Sequence, residues 1–236
     1  MEALFKAHFS RRFEPLAGAL EQFVPAGGVI ADVGANTGRM ARSLSRLRGG
    51  SVQVLAFEPL GYNLTILRTV ASRRRNIRVF DVALSERAGE AAFYLPFKAD
   101  GRVYPGNAAL AAARRALPGP GEGTLHEVKV RTVTLDALAR DERLERLDLV
   151  KADVEGGESL VLRGAKDTLA RFRPAIFMEL PFHPDQDPRS GEVLQTLGEL
   201  GYRLCLLDVP GGRVTPIPAQ TGAKDYLFVH ADRLGA

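Results

Sequence analysis

The sequence predicts an α/β domain in which helices cover both faces of a mostly parallel sheet. Three observations carry that expectation. Short apolar runs alternate with amphipathic helical stretches over residues 29–84, and again from residue 134 onward. The first run, in "VIADVGANTGRM" (29–40), breaks into a turn containing Gly34, Asn36 and Gly38 and then becomes helical. Acidic residues recur where the runs end, at Glu58, Asp153 and Glu179. Strand, helix, strand in this rhythm needs right-handed crossovers and a sheet buried on both sides.

The elements follow in order. Residues 1–26 read as a helical extension, with Leu4, Phe5, Phe9, Phe13, Leu16, Leu20 and Phe23 at roughly helical spacing and Pro15 starting a second helix or kinking the first. The main domain occupies 27–236. "VIADVGA" is a buried strand, "GRMARSLSRL" a helix, "VQVLAFEP" the second strand, "NLTILRTVASR" a helix and "IRVFDVAL" the third strand. The rhythm then stops. "GEAAFYLP" and "HEVKVRTVTL" read as edge strands, and the Gly-, Pro-, Ala- and Arg-rich segment 98–126 between them reads as an inserted loop with a short helix at "NAALAAARRAL". After a helix at "TLDALARDERLERL", "LDLVKADV" is the fourth strand, "GGESLVLRGAKDTLARF" one helix and "PAIFMEL" the fifth strand. "SGEVLQTLGEL" is a helix capped by Ser190, and "YRLCLLDV" and "DYLFVHA" close the sheet around "PGGRVTPIP".

Composition bounds the function. The chain has 236 residues, 45% of them apolar, enough for a full core, and no apolar run approaches the ~20 residues that span a bilayer. A single cysteine, Cys205, excludes an internal disulfide framework, and the charged N-terminal stretch is unlike a signal peptide, so the expected compartment is the cytoplasm, with no membrane partner. The net charge of +4 and a pI of 9.4 raise nucleic acid as a partner. Against it, acids and bases alternate along the helices, there is no Trp, and the one dense basic run, "SRRRN" at 72–76, stands where a surface helix ends and its dipole favours cations.

The glycine turn is spaced GxxxG, which is neither the GxGxxG of a dinucleotide fold nor a lysine-bearing phosphate loop. It presents backbone groups and Asn36 to a ligand, with Asp32 able to reach a cationic amine or to orient the loop. Glu58 follows Gly38 by twenty residues, at the end of a neighbouring strand, where a carboxylate accepts both ribose hydroxyl protons of an adenosine. Asp81, Val82 and Ala83, at the end of strand three, would face the adenine edge. In "KADVEGGE" Asp153, Glu155 and Glu158 fall within six residues, and Glu179 and His183 lie just past the adjacent strand. Like charges gathered at one sheet edge raise one another's pKa values and mark acid/base work, a cation or a metal. A duller account has the glutamates merely favouring a helix N-terminus, which serves for one of them and not for all.

"VIADVGANTG", "AFEP", "VALSE", "TLDAL", "LVKADVEGGESLVLRGA" and "PAIFMEL", in that order, resemble the FkbM family of S-adenosylmethionine-dependent methyltransferases over residues 29 to about 181. Gly157 stands where many relatives carry alanine. The resemblance implies a Rossmann-like class I methyltransferase sheet of order 3-2-1-4-5-7-6 with strand seven antiparallel. It also implies S-adenosyl-L-methionine as cofactor and, most often, O-methylation of a hydroxyl on a small molecule or sugar. Asp153 would then meet the methionine amino group. Glu155, Glu158, Glu179 and His183 are the candidate bases, or Asp153 and Glu179 hold a Mg²⁺ ion that activates the hydroxyl. The loop 98–126 would be a lid, and the leader helices offer a surface for a homo-oligomer. The competing readings are a nicotinamide oxidoreductase, a nucleic-acid methyltransferase and a non-catalytic cofactor-binding protein.

Overall fold

The computed structural model describes residues 11–98, 109–110, 123–180 and 183–234. At its centre lies β1 (Val29–Val33), buried along its whole length, with β2 (Gln53–Phe57) on one side and β8 (Leu149–Ala152) on the other, both parallel to it. Alternate side chains divide between the faces: Val29, Ala31 and Val33 enter one core and Ile30 the other. A strand buried on both faces reads as an unbroken apolar run, which is why Asp32 stands out in it.

Beyond β2 comes β3 (Ile77–Phe80), and beyond β8 comes β9 (Ala175–Glu179). The sheet continues through β12 (Asp225–His230), antiparallel to β9, then β10 (Tyr202–Asp208) and β11 (Arg213–Pro216). Its order, β11-β10-β12-β9-β8-β1-β2-β3, is the order implied by the family resemblance, with the reversed last strand inserted and β11 added by the "PGGRVTPIP" hairpin. One face carries α2 (Arg39–Leu44) and α3 (Gly61–Ala71). The other carries α4 (Leu135–Asp141), α5 (Glu158–Arg163), α6 (Lys166–Phe172) and α7 (Pro188–Glu199).

The N-terminal extension contributes α1 (Glu14–Leu20), with Pro15 in its first turn, and a 3₁₀ turn over Glu21–Phe23; Ala17, Leu20, Phe23 and Val24 pack into the α2 face. The part of the leader bearing Leu4, Phe5 and Phe9 lies outside the described residues.

The structure corrects several boundaries. "IRVFDVAL" is not one strand. The main sheet keeps Ile77–Phe80, and Ala83–Leu84 form β4, which pairs with β7 (Gly123–Val133) in a second sheet. The expected edge strands belong there too: β5 (Gly89–Lys98) runs antiparallel to β7, and β6 (Ala109–Leu110) adds to β5, in the order β4-β7-β5-β6. Strand thus extends into both ends of the expected 98–126 loop and appears at 109–110, where a helix was expected; the rest of that helix and of the loop lies outside the described residues. Helix 156–172 is two helices, because Gly164 packs so tightly on the next layer that a Cβ would lie 2.0 Å from the Ser85 carbonyl oxygen. Finally, Asp187 rather than Ser190 caps α7, its carboxylate accepting from the Arg189 N–H ahead of Pro188 at the first position.

Candidate active site

The chain leaves β1 for β2 and β3 on one side and later returns to β8 and β9 on the other. The carboxyl ends of β1 and β8 therefore part at a topological switch point, where open α/β sheets hold ligands. A cavity of about 210 Å³ sits there. Its floor is Val33 and Gly34, one wall is Phe57, Glu58, Leu60 and Asn63, another is Val82, Ala83, Leu84 and Phe93, and its mouth is Asp153, Val154 and Glu155, with Asn36 beside the floor.

The glycine turn is shaped chiefly by the protein's own packing. Gly34 has φ +74°, and a Cβ there would lie 2.0 Å from the Asp153 carbonyl oxygen, so the two strand-end loops touch backbone to backbone. Gly38, φ +80°, is closed off by Leu67 of α3 and does not line the cavity. The N–H groups of Gly34 and Ala35 donate to the Phe57 carbonyl at 3.1 and 2.9 Å.

Glu58 ties the turn to the second strand end. One carboxylate oxygen accepts from the Asn36 N–H at 2.9 Å; the other accepts from the Leu60 N–H at 2.9 Å and from Asn63 Nδ2 at 3.3 Å. Burial pushes its pKa up, and these three donors pull it back. Asp32 lies beneath the cavity, wholly buried, with Lys151 Nζ 3.4 Å from its carboxylate. The same ammonium is 3.6 Å from Asp153 and donates to the Gly34 carbonyl at 3.3 Å. Burial disfavours the charge on Lys151, but the two carboxylates outweigh it, and the lysine stays protonated between them.

A smaller cavity, about 50 Å³, adjoins the first and is lined by Glu155, Glu158, Glu179, Asp187, Arg189 and Ser190 among others. Glu155 is the residue common to the two cavities. It sits in a left-handed turn, φ 52°, and its pKa is pushed up to about 7 by burial, reinforced by Asp153 and Glu179. Glu158 is also raised to about 7 by burial, yet one of its oxygens folds back onto the Val154 and Gly156 N–H groups at 3.2 and 3.4 Å, pinning the loop that carries Glu155. Burial raises Glu179, while Lys224 Nζ, 2.8 Å away, opposes the rise. Arg189 lies across Asp187 and donates to the Gly156 carbonyl at 3.2 Å.

The fold therefore brings Gly34, Asn36, Glu58, Val82, Ala83, Asp153, Glu155, Glu158 and Glu179 to two joined cavities. It does not bring Asp81 there: that carboxylate is half exposed and pairs with Arg68 at 2.9 Å, pointing along α3. His183 is exposed, with Nδ1 3.1 Å from Asp185, and lines a separate hollow with Pro184, Leu194 and Tyr202. Sequence reasoning missed Lys151, Asn63, Arg189 and Lys224. Lys151 had a signal, a lone charge inside "LVKADV" that burial obliges to find a partner. Lys224 had none, since it meets Glu179 from 45 residues away. Among the described residues no group of three or more His, Cys, Asp or Glu side chains is arranged to hold a metal ion.

Five parallel strands, three further strands joined to them by antiparallel pairings and a cavity at the switch point define the class I methyltransferase fold. The model of the methyltransferase FkbM domain matches residues 32–204, and this chain belongs to the FkbM family of S-adenosylmethionine-dependent methyltransferases. The 2-O-methyltransferase NoeI of Sinorhizobium fredii (strain NBRC 101917 / NGR234) is 31% identical over 175 residues, covering 70% of this chain and 67% of that protein. The crystal structure of methyltransferase FkbM from Methylobacillus flagellatus KT shares the fold, with a TM-score of 0.54 and 16% identity over 96% of this chain. The present chain spans about half of that one, 48%. No helix among the described residues is long and apolar enough to cross a membrane.

Proposed function

We propose that this protein O-methylates a hydroxyl group on a small molecule or sugar, with S-adenosylmethionine held in the larger cavity. Bound there, the cofactor supplies an electrophilic methyl group on a sulfonium. The residues suit its three parts. Phe57, Val82, Ala83 and Leu84 form an apolar wall for adenine, Glu58 offers its remaining lone pairs to the ribose hydroxyls, and Asp153 faces the space for an amino group. The single observation that carries the reading is Glu155, a carboxyl group poised near neutrality at the junction of the two cavities. In its ionised form it accepts the acceptor hydroxyl's proton as the oxygen attacks, and its raised pKa makes it a competent base at pH 7–8. The second cavity holds the acceptor, Glu158 keeps the loop rigid, and in-line positioning supplies much of the remaining rate.

Magnesium on Asp153 and Glu179 fits poorly, because each carboxylate already has an ammonium beside it, Lys151 at 3.6 Å and Lys224 at 2.8 Å. Asp81 and His183 have no part in this mechanism. The buried thiol of Cys205 suits the reducing cytoplasm. The test is release of S-adenosylhomocysteine with a panel of hydroxylated acceptors, wild type beside Glu155→Gln. Turnover should fall at least 10²-fold in the variant while S-adenosylhomocysteine binding is kept. A variant within threefold of wild type refutes Glu155 as base. Cofactor binding without turnover on any acceptor supports the non-catalytic alternative.

A further inference from the structure

Asn63 is the one polar residue on the buried face of α3, which otherwise packs Leu64, Ile66, Leu67 and Val70. Its side chain is 1% exposed, yet it lines the larger cavity, on the wall it shares with Glu58 and Leu60. Asparagine is a weak helix former, and burying its amide costs free energy unless both ends find partners. Here one end does. Nδ2 donates to a Glu58 carboxylate oxygen at 3.3 Å. That oxygen also takes the Leu60 N–H at 2.9 Å, so it is an acceptor and the amide must meet it nitrogen-first. Oδ1 then faces away, buried, with no hydrogen-bond partner among the described residues.

The other side-chain acceptors near this wall are engaged. Asn36 Oδ1 takes the Thr37 N–H at 2.7 Å, Asp153 has the Lys151 ammonium beside it at 3.6 Å, and Asp81 is drawn outward by Arg68. Val82, Ala83, Leu84 and Phe93 bring no polar side-chain atom. An acceptor left open in a protein interior is expensive, and a native structure keeps one where something else supplies the donor. The reach of Oδ1 narrows what that donor is. The two ends of an amide lie roughly 2.2 Å apart, which with the 3.3 Å contact places Oδ1 within roughly 5.5 Å of the Glu58 oxygen. A vicinal diol bridges that distance, one hydroxyl to each side chain. The adenine amino group stands on the far side of the base from the ribose, which makes a hydroxyl the nearer donor.

We propose that Asn63 is a cofactor-binding residue that selects for an intact ribose: its Nδ2 fixes the Glu58 carboxylate, and its Oδ1 accepts a hydrogen bond from one of the two ribose hydroxyls. This rests on the reading that the larger cavity holds S-adenosylmethionine, and it adds a second ribose acceptor carried by a different element, α3 instead of the end of β2. An amide suits the place better than a second carboxylate, which would stand against Glu58 as a like charge. The empty protein carries the orphan acceptor, and the cofactor relieves it.

The experiment is isothermal titration calorimetry of the full chain as wild type, Asn63→Leu and Asn63→Ala. Four ligands are compared: S-adenosylhomocysteine, its 2′-deoxy and 3′-deoxy analogues, and S-inosylhomocysteine, which lacks the adenine amino group. Leucine keeps the volume and removes both polar ends, and alanine serves if the branched carbons clash. Either variant should bind S-adenosylhomocysteine about tenfold more weakly than wild type. With one of the two deoxy analogues the gap between wild type and variant should shrink to about threefold or less, which also shows that the variant is folded. The other deoxy analogue and the inosyl compound should keep the gap. An equal loss with all four ligands makes Asn63 a support for Glu58 and nothing more, and overturns the proposal. So does a gap that closes with the inosyl compound alone, or an unchanged affinity for S-adenosylhomocysteine. Wild type that fails to bind S-adenosylhomocysteine at all overturns the cofactor site, and this proposal with it.

Discussion

Lys151→Met probes the electrostatics under the cavity. In the native chain Asp32 is wholly buried in the central strand, with the Lys151 ammonium 3.4 Å away as its cation. Removing that cation leaves a carboxylate with no solvent and no counter-charge, a change that costs roughly 3–5 kcal/mol when one partner of a buried pair is deleted. For a chain of this size each kcal/mol moves Tm by about 2–4 °C, so a fall on the order of 10 °C is expected. Asp153 adds little to the penalty, because its side chain is 45% exposed and water replaces the lysine there. The Asp32→Val/Lys151→Met double variant should recover most of the loss, since an apolar pair of similar volume needs no counter-charge. The pH dependence follows from the direction of the shift. Burial raises the pKa of Asp32, and without Lys151 it rises further. Stability that rests on a raised carboxyl pKa is present at low pH and lost as pH rises, so the deficit of Lys151→Met should shrink from pH 8 to pH 5. Urea unfolding of the four proteins of the cycle, at both pH values, checks this. A single variant within about 1 kcal/mol of wild type, or a double variant no better than the single, would refute the reasoning.

Other outcomes follow from the same geometry. Glu158 titrates at about 7 in the folded state against 4.5 ordinarily, so its contribution to stability is full below pH 4.5 and lost as pH rises through 7; Glu158→Gln, which cannot ionise, should match wild type at pH 5 and exceed it by about 3 kcal/mol at pH 8 in urea titrations. Gly34→Ala places a methyl group against the Asp153 carbonyl at a positive φ and should lose about 3 kcal/mol, whereas Gly38→Ala, which meets the flexible end of Leu67, should lose less; melting curves rank the two. His183→Ala and Asp81→Ala should leave turnover within about twofold of wild type, since neither side chain lines the two cavities.

The backbone plan was legible because strands and helices impose different apolar periods, and β1, β2, β8 and β9 each fill a central position whose burial leaves little choice of residue. The cavity was legible in part because its backbone turn and Glu58 lie at the ends of adjacent strands. Local pattern failed where the third dimension decides. Ala83 and Leu84 are as apolar as the strand before them, and only pairing with Thr132 and Val133 moves them to another sheet. Gly164 looked like one more helical residue until Ser85 was packed on it. Asp81 and Asp153 look alike at strand ends, but Arg68, one helix away, takes the first outward and Lys151 holds the second inward. His183 shares its stretch of sequence with Glu179, yet Asp185 and its exposed loop keep it elsewhere.

The central claim, that the cavity between Gly34, Glu58 and Ala83 holds S-adenosylmethionine, is tested most directly by titrating S-adenosylhomocysteine and, separately, NAD⁺ in a thermal-shift experiment, with wild type beside Ala83→Leu, which fills the apolar wall. At a hundred times its Kd the product should stabilise wild type by about 2.7 kcal/mol, or roughly 5–10 °C, and leave the variant's Tm unmoved. No shift in wild type, a shift with NAD⁺ alone, or an undiminished shift in Ala83→Leu would contradict the account.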